Sequence, residues 1–217
     1  MPNPLELSNL REDYRLAALD EAHCNPHPIR QFEQWFQEAK SAQLKEPNAM
    51  TLATVDAAAR PSARIVLLKG LERDGFVFYT NYESRKGREL AGNPYCALTF
   101  YWAELERQVR VEGVVEKVAK QTSETYFKGR PKGSRIGAVV SNQSAELPSR
   151  APLEMRLAEL EKAFAHTDDV PMPESWGGYF VKPHLLEFWQ GRTNRLHDRI
   201  LYRLNNDGSW RMGRLSP

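Results

Sequence analysis

Only two cysteines, Cys24 and Cys96, occur in the chain, too few for a disulfide framework and not spaced as a zinc ribbon or a redox Cys-x-x-Cys pair. That usage fits a reducing compartment and predicts a cytoplasmic protein. Long apolar runs are missing as well: none approaches the roughly 20 residues of a membrane span. Glu6, Glu12, Asp13, Asp20 and Glu21 interrupt the first 22 positions, leaving no apolar core for a secretory signal. Neither membrane association nor export is expected. Neither sign of charge dominates, since 30 Lys and Arg face 28 Asp and Glu for a formal net charge of +2. The basic residues are spread along the chain, which argues against a nucleic-acid-binding small barrel. Finally, there is no Gly-x-Gly-x-x-Gly, no P-loop and no Gly-x-Ser-x-Gly elbow, so any nucleotide must be held by other means.

What is present suits one globular domain of 217 residues, 41 % of them apolar. Residues 1–27 are charged and end in HCNPHP, which reads as a flexible N-terminal arm with at most a short helix around Leu10–Leu19. His23, Cys24 and His27 resemble a metal cluster, but two nearby prolines and the lack of a fourth ligand favour a loop. No metal is expected. Residues 28–217 form the predicted domain, opening with a helix in which Ile29, Phe32, Trp35, Phe36 and Ala39 recur at helical spacing after Pro28. The period then changes. Met50–Val55, Ser62–Leu71, Phe76–Asn81, Tyr95–Trp102 and Gln108–Val118 read as strands with short turns, which implies antiparallel pairing and closure into a small barrel of Greek-key type. Short helices are expected over 84–92, Gln121–Lys128 and Pro152–Phe164, and further strands over Trp176–Lys182, His184–Gln190, Arg195–Leu204 and Trp210–Leu215. The fold class is therefore mainly β with flanking helices, α+β.

Cations recur where an anion would explain them. Arg64 and Lys69 bracket the apolar run Ile65, Val66, Leu67 and Leu68; their odd spacing puts them on opposite faces of a regular strand, unless a bulge intervenes. After Tyr79 and Thr80, a capping Ser84 leads into Arg85 and Lys86 at a helix N-terminus. Cations are unfavourable there unless an external phosphate reverses the local sign. Tyr126, Arg130 and Ser134 share a helical face if the helix survives Pro131, and a phosphate-cradling loop if it does not. Gln108 opens a strand, and Gln143 with Ser144 sits in a polar loop.

The densest stretch is Leu186 to Arg199, LEFWQGRTNRLHDR. Alternation before and after a turn at Gly191–Asn194 predicts two strands, with Arg195, His197 and Arg199 on one face. Three cationic or potentially cationic groups on one face again ask for an anionic partner.

This stretch closely resembles the signature of the pyridoxamine 5'-phosphate oxidase family: an aliphatic-Glu-aromatic-Trp run, four variable positions, then Arg-aliphatic-His-Asp-Arg. Every fixed position matches, and the likeness extends from the Arg11–Tyr14 region to the terminal Arg-Leu-Ser-Pro. The resemblance implies an FMN-binding split barrel acting as a homodimer with FMN at the interface. It implies that Arg64, Ile65, Val66, Leu67, Leu68, Lys69, Tyr79, Thr80, Arg85, Lys86, Gln108, Gln143, Ser144, Trp189 and Arg199 bind FMN, Gln143 and Ser144 from across the interface. Lys69, Tyr126, Arg130 and Ser134 would hold the substrate phosphate, Arg195 and His197 would lie over the pyridine ring as the catalytic pair, and Arg11 and Tyr14 would belong to an N-terminal lid. The reaction implied is FMN-dependent oxidation of pyridoxamine or pyridoxine 5'-phosphate to pyridoxal 5'-phosphate, with O2 as acceptor and H2O2 as product. The alternative is a split-barrel protein that binds flavin or pyridoxal phosphate without turnover.

Overall fold

The computed structural model describes residues 13–72 and 74–217. Helix α1 (Pro28–Ser41) is followed by strands β1 (Ala49–Val55), β2 (Pro61–Leu67), β3 (Gly70–Glu72) and β4 (Gly75–Asn81). Then come α2 (Arg85–Gly92), β5 (Tyr95–Trp102), β6 (Arg107–Lys117), α3 (Lys120–Lys128), α4 (Lys132–Val140) and α5 (Ala151–Ala163). The chain closes with β7 (Trp176–Gln190), β8 (Asp198–Leu204) and β9 (Trp210–Arg214). Hydrogen-bonded neighbours run β2-β1-β5-β6-β7-β4-β3, with β8 on β7 and β9 on β8, and every pairing with a described register is antiparallel. This is the mainly antiparallel, α+β split-barrel class expected from the sequence.

Two compact units divide the chain. One comprises the residues up to Pro47 together with Thr99–Val111 and Leu185–Pro217. Its core is aromatic: Phe32 and Trp35, one turn apart on α1, meet Phe100 at 4.9 Å and Phe188 at 5.2 Å between ring centroids, and Phe188 meets Tyr202. Pro28 occupies the first turn of α1, where its missing N–H costs nothing. The helix expected around residues 10–19 does not form over the described part, 13–19. There the backbone N–H groups of Arg15 and Leu16 go to the Glu106 carboxylate and that of Leu19 to Asp198, so acceptors outside the segment replace helical ones.

The second unit, Asn48–Leu98 with Glu112–His184, holds β1 to β4 and α2 to α5. Strand β1 buries Met50, Leu52 and Thr54 in strict alternation, while β4 is buried on both faces apart from Tyr79. Three expectations change. The run Ser62–Leu71 breaks into β2 and β3, because Leu68 N–H turns to Asn48 O and Lys69 N–H to Val77 O. Helix α4, absent from the sequence reading, forms on KGSRIGAVV despite two glycines, held by Ile136 against Leu160 and Val170 and by Arg135 on Asp168. Strand β7 runs unbroken through Pro183; its registers with β4 end at Val181 and those with β8 begin at Leu185, so the proline falls between them.

Gly87 shows how tightly α2 is seated. A Cβ there would lie 2.0 Å from the carbonyl oxygen of Tyr82 and 2.5 Å from its carbonyl carbon, both backbone atoms. Alanine in place of glycine favours a helix by about 1 kcal/mol, but overpacking costs roughly 1–3 kcal/mol. Gly87→Ala is therefore expected to lower the thermal midpoint by a few degrees (~2–4 °C per kcal/mol); an unchanged or raised midpoint by calorimetry would refute this seating.

Candidate functional site

A cleft of about 610 Å³ opens in the second unit. Arg64, Ile65, Val66, Leu67, Lys69, Tyr79, Thr80, Lys86, Tyr126, Arg130, Ser134 and Gln143 all line it, together with Asn81, Pro131, Gly137, Ala138, Ser141 and Trp176. The break after Leu67 is what brings Arg64 and Lys69 to the same cavity, correcting the opposite-face expectation. Likewise α3 ends at Lys128 and α4 starts beyond Pro131, yet Tyr126, Arg130 and Ser134 still converge.

Lys86 is the most constrained of these groups. Its side chain is buried, and its ammonium donates to Thr80 Oγ1 at 3.3 Å, Ser84 Oγ at 3.4 Å and Gln143 Oε1 at 2.9 Å. All three acceptors are neutral, and among the described residues no carboxylate pairs with it. Burial pushes its pKa down, the nearby Arg64 charge adds to this, and Glu89 opposes it at longer range. Gln143 makes this contact from the same chain, whereas the resemblance places it across an interface.

Arg64 is anchored from the other side. Its guanidinium donates to Leu52 O at 3.1 Å, to Thr54 and Ser62 hydroxyls, and to Glu89 Oε2 at 3.1 Å. Glu89 is buried and also accepts from Thr54 at 2.5 Å, Ser62 at 2.7 Å and Arg85 at 2.8 Å. Burial alone would raise the Glu89 carboxyl; these donors outweigh it and hold the pKa down at about 2. Arg85 is thereby turned to Glu89 and lines no part of the cleft.

Arg130 also lines the cleft. Its guanidinium lies 4.9 Å from the Trp176 ring centroid and 5.6 Å from that of Phe127, and its buried Nη1 has no hydrogen-bond partner among the described residues. Burial lowers its pKa. Tyr79, Tyr126 and Trp176 form a near-parallel stack, Tyr79 lying 3.9 Å from Tyr126 and 5.4 Å from Trp176. Trp176 escaped the sequence reading except as a strand start. The signal was the Gly177-Gly178 pair behind it: a Cβ at Gly177 would lie 2.1 Å from the Tyr82 hydroxyl and one at Gly178 2.8 Å from the Tyr79 ring.

The remaining candidates sit elsewhere. Leu68 is buried, Ser144 is exposed with a φ of 72°, and neither lines the cleft. Gln108, Trp189, Arg195, His197, Arg199 and Tyr14 belong to the first unit, and Arg11 lies outside the described residues. Arg195 and His197 are not on a strand as expected. Asn194 and Arg195 adopt φ of 54° and 61° in a single 3-10 turn, and β8 starts only at Asp198. Arg195 is exposed and makes no hydrogen bond or ion pair among the described residues. His197 Nδ1 accepts the Arg192 N–H at 3.1 Å, which leaves Nε2 as the protonated nitrogen of the neutral ring. Burial, then the Arg195 charge, lowers its pKa. Its ring lies 4.6 Å from Trp189. Arg199 does not share their freedom: buried Glu187 takes its Nε at 2.9 Å and Nη2 at 3.0 Å, which raises the guanidinium pKa.

These features define a class: an antiparallel α+β protein with a cleft lined by several cations and by stacked aromatic rings. Comparison with known proteins sharpens this. Residues 36–163 match the family described as pyridoxamine 5'-phosphate oxidase, and residues 176–217 match a pyridoxine 5'-phosphate oxidase C-terminal dimerisation region. Proteins named pyridoxine/pyridoxamine 5'-phosphate oxidase from Burkholderia thailandensis and Acaryochloris marina are 58 % and 55 % identical over 97 % and 100 % of this chain, and over 99 % and 98 % of their own lengths. The crystal structure of PhzG from Burkholderia lata, in complex with tetrahydrophenazine-1-carboxylic acid, superposes with a TM-score of 0.88 at 29 % identity, covering 95 % of this chain and 100 % of that one. The chain belongs to the pyridoxamine 5'-phosphate oxidase family and is an enzyme with a C-terminal region of the kind that forms homodimers.

Glu89 gives the site an acid-sensitive anchor. Its folded-state pKa of about 2 lies below the ordinary 4.5, so its contribution is full above pH 4.5 and is lost as the pH falls towards 2. The shift corresponds to a contribution on the order of 3 kcal/mol. Glu89→Gln is expected to lower stability at pH 7 and to flatten the decline between pH 5 and 2 (about the window of the shift). Parallel acid-denaturation curves for the two proteins would remove Glu89 from this role.

Proposed function

We propose that the protein oxidises pyridoxamine 5'-phosphate and pyridoxine 5'-phosphate to pyridoxal 5'-phosphate in the cytoplasm, with FMN as the redox group, O2 as electron acceptor and H2O2 as product. For the amine substrate, water enters and ammonia leaves. One observation carries the reading beyond family membership: two cations in one cleft, buried Lys86 and half-buried Arg130 with its buried Nη1, have no counter-anion among the described residues. Burying a charge without a counter-charge is unfavourable, so each is poised for an anionic group brought by a ligand. An FMN phosphate and a substrate phosphate supply one each.

FMN, when bound, contributes a two-electron acceptor that O2 regenerates. The chain's own residues bind and orient. Lys86 and Arg64 would hold the cofactor phosphate, assisted by Thr80 and the backbone of Ile65–Leu67 and Lys69, in a site at the interface of a homodimer. Arg130, Lys69, Tyr126 and Ser134 hold the substrate phosphate. Arg195 would bring a fixed positive charge to the substrate ring and hold the ring and its C4' substituent in line with the flavin. His197 enters neutral, with Nε2–H free to hydrogen-bond a ring substituent.

Two variants separate the sites. Lys86→Ala is expected to weaken FMN by about 10- to 150-fold in a fluorescence titration, the equivalent of losing roughly 1.5–3 kcal/mol of charge-assisted hydrogen bonding. Arg130→Ala should keep its flavin while KM for pyridoxamine 5'-phosphate rises by a similar factor. Normal FMN affinity in the first, or an unchanged KM in the second, contradicts the assignment. Wild-type protein that binds FMN yet releases no H2O2 with either substrate would identify a binder without turnover. The lowered His197 pKa adds a pH signature: kcat/KM should hold down to below pH 6.5, the ordinary histidine value, and His197→Asn should abolish the acid limb.

A further inference from the structure

We infer that Glu106 is a positioning residue that latches the N-terminal arm and so holds Tyr14 against the Trp189–His197 pair; the inference rests on the reading of His197 given above. Glu106 occupies the turn between β5 and β6 in the left-handed region, at a φ of 52°, which a glutamate adopts only where its surroundings require it. Its two carboxylate oxygens take consecutive backbone N–H groups of the arm, Arg15 at 3.3 Å and Leu16 at 2.9 Å. Among the described residues no cation pairs with this carboxylate: the Arg15 guanidinium turns to Asp13 instead. It is an anion answered by backbone amides, a contact with directional demands that a surface ion pair lacks.

The same residue grips the signature turn through its backbone. Its carbonyl accepts Gly191 N–H at 2.8 Å and Gln190 Nε2 at 3.2 Å. Tyr14, next to the clamped pair, lies edge-on to Trp189 at 5.7 Å and 5.8 Å from His197. Gly191 leaves room for this: a Cβ there would meet Tyr14 Cγ at 2.7 Å and Glu106 Cβ at 3.0 Å. Residues 13–19 have no helix or strand of their own, so the placement of the Tyr14 ring depends on acceptors supplied from outside the arm. Glu106 supplies two of them immediately beside Tyr14; the next, from Asp198, goes to Leu19, beyond Leu16.

Hydrogen exchange and kinetics on the full-length, flavin-loaded protein test this together. In Glu106→Ala, backbone amides of residues 13–20 should exchange at least about 10-fold faster while those of β8 keep their protection. KM for pyridoxamine 5'-phosphate should rise about 5-fold or more with kcat within about 2-fold, and Tyr14→Ala should reproduce the change. The double variant should be no worse than either single one, because both remove the same contact. Unchanged arm exchange in Glu106→Ala overturns the latch, and so do additive losses in the double variant, which would mean that Glu106 acts independently of Tyr14. Should Glu106→Ala fail to fold, Glu106→Gln keeps the shape and removes the charge, and the same two outcomes decide. Absence of wild-type turnover would count against the proposed reaction and leave the exchange comparison to decide the latch.

Discussion

An ammonium group buried among neutral oxygens is the constraint around which the cleft is organised. Lys86 receives from Thr80, Ser84 and Gln143 enough hydrogen bonding to be tolerated, but among the described residues no opposite charge pairs with it. Its position in the first turn of α2 adds the positive end of the helix dipole, and Arg64 adds a second cation close by. The nearby anion Glu89 is spent on Arg64, Arg85, Thr54 and Ser62. It fixes the guanidinium of Arg64 without neutralising the floor of the cleft. Such an arrangement favours an anion that arrives and leaves over one built into the chain.

The irregularities of the second unit follow from the same demand. A strand continued from Ser62 to Leu71 would have thrown Arg64 and Lys69 to opposite faces. Breaking it at Leu68, with each freed N–H finding a carbonyl, keeps both on the cavity. A single helix through Tyr126, Arg130 and Ser134 was barred by Pro131, and two short helices around that proline recover the convergence. The local breaks in regular structure thus lie where side chains had to be re-aimed.

Much of this was legible in the residues, and the failures have physical causes. Alternation in β1 and β6 and the stripe on α1 read correctly because one face of each is buried and the pattern records it. Ser84 capped its helix as its chemistry suggests. Helix α4 was invisible because its glycines and β-branched residues argue against a helix locally; burial of Ile136 and Arg135 decides the matter through contacts distant in sequence. Pro183 split β7 on paper, but a residue lying between two ladders loses little by lacking an N–H. Clustering of the cations around one cleft could be suspected from charge alone, whereas the partner-free Nη1 of Arg130 and the stacked Trp176 required the fold.

The fourteen-residue signature looks uniform in sequence and divides by role in three dimensions. Glu187 and Arg199 face each other across β7 and β8 as a two-pronged pair, with Arg110 joining the same carboxylate, so these charges are consumed in holding the strands. Asp198, beside the histidine, is occupied by Leu19 N–H and by Arg214 at 2.7 Å; its charge opposes the lowering of the His197 pKa, but burial and Arg195 outweigh it. What remains unspent is the turn itself: Arg195 exposed in a left-handed conformation, and His197 neutral with one nitrogen fixed. A regular strand would have alternated these residues with their neighbours and set all three cationic side chains on one face, where their mutual repulsion would have had no local remedy. Placing Arg195 in the turn and giving Arg199 to Glu187 removes that repulsion, and it leaves the two groups able to meet a substrate as the ones without structural duties.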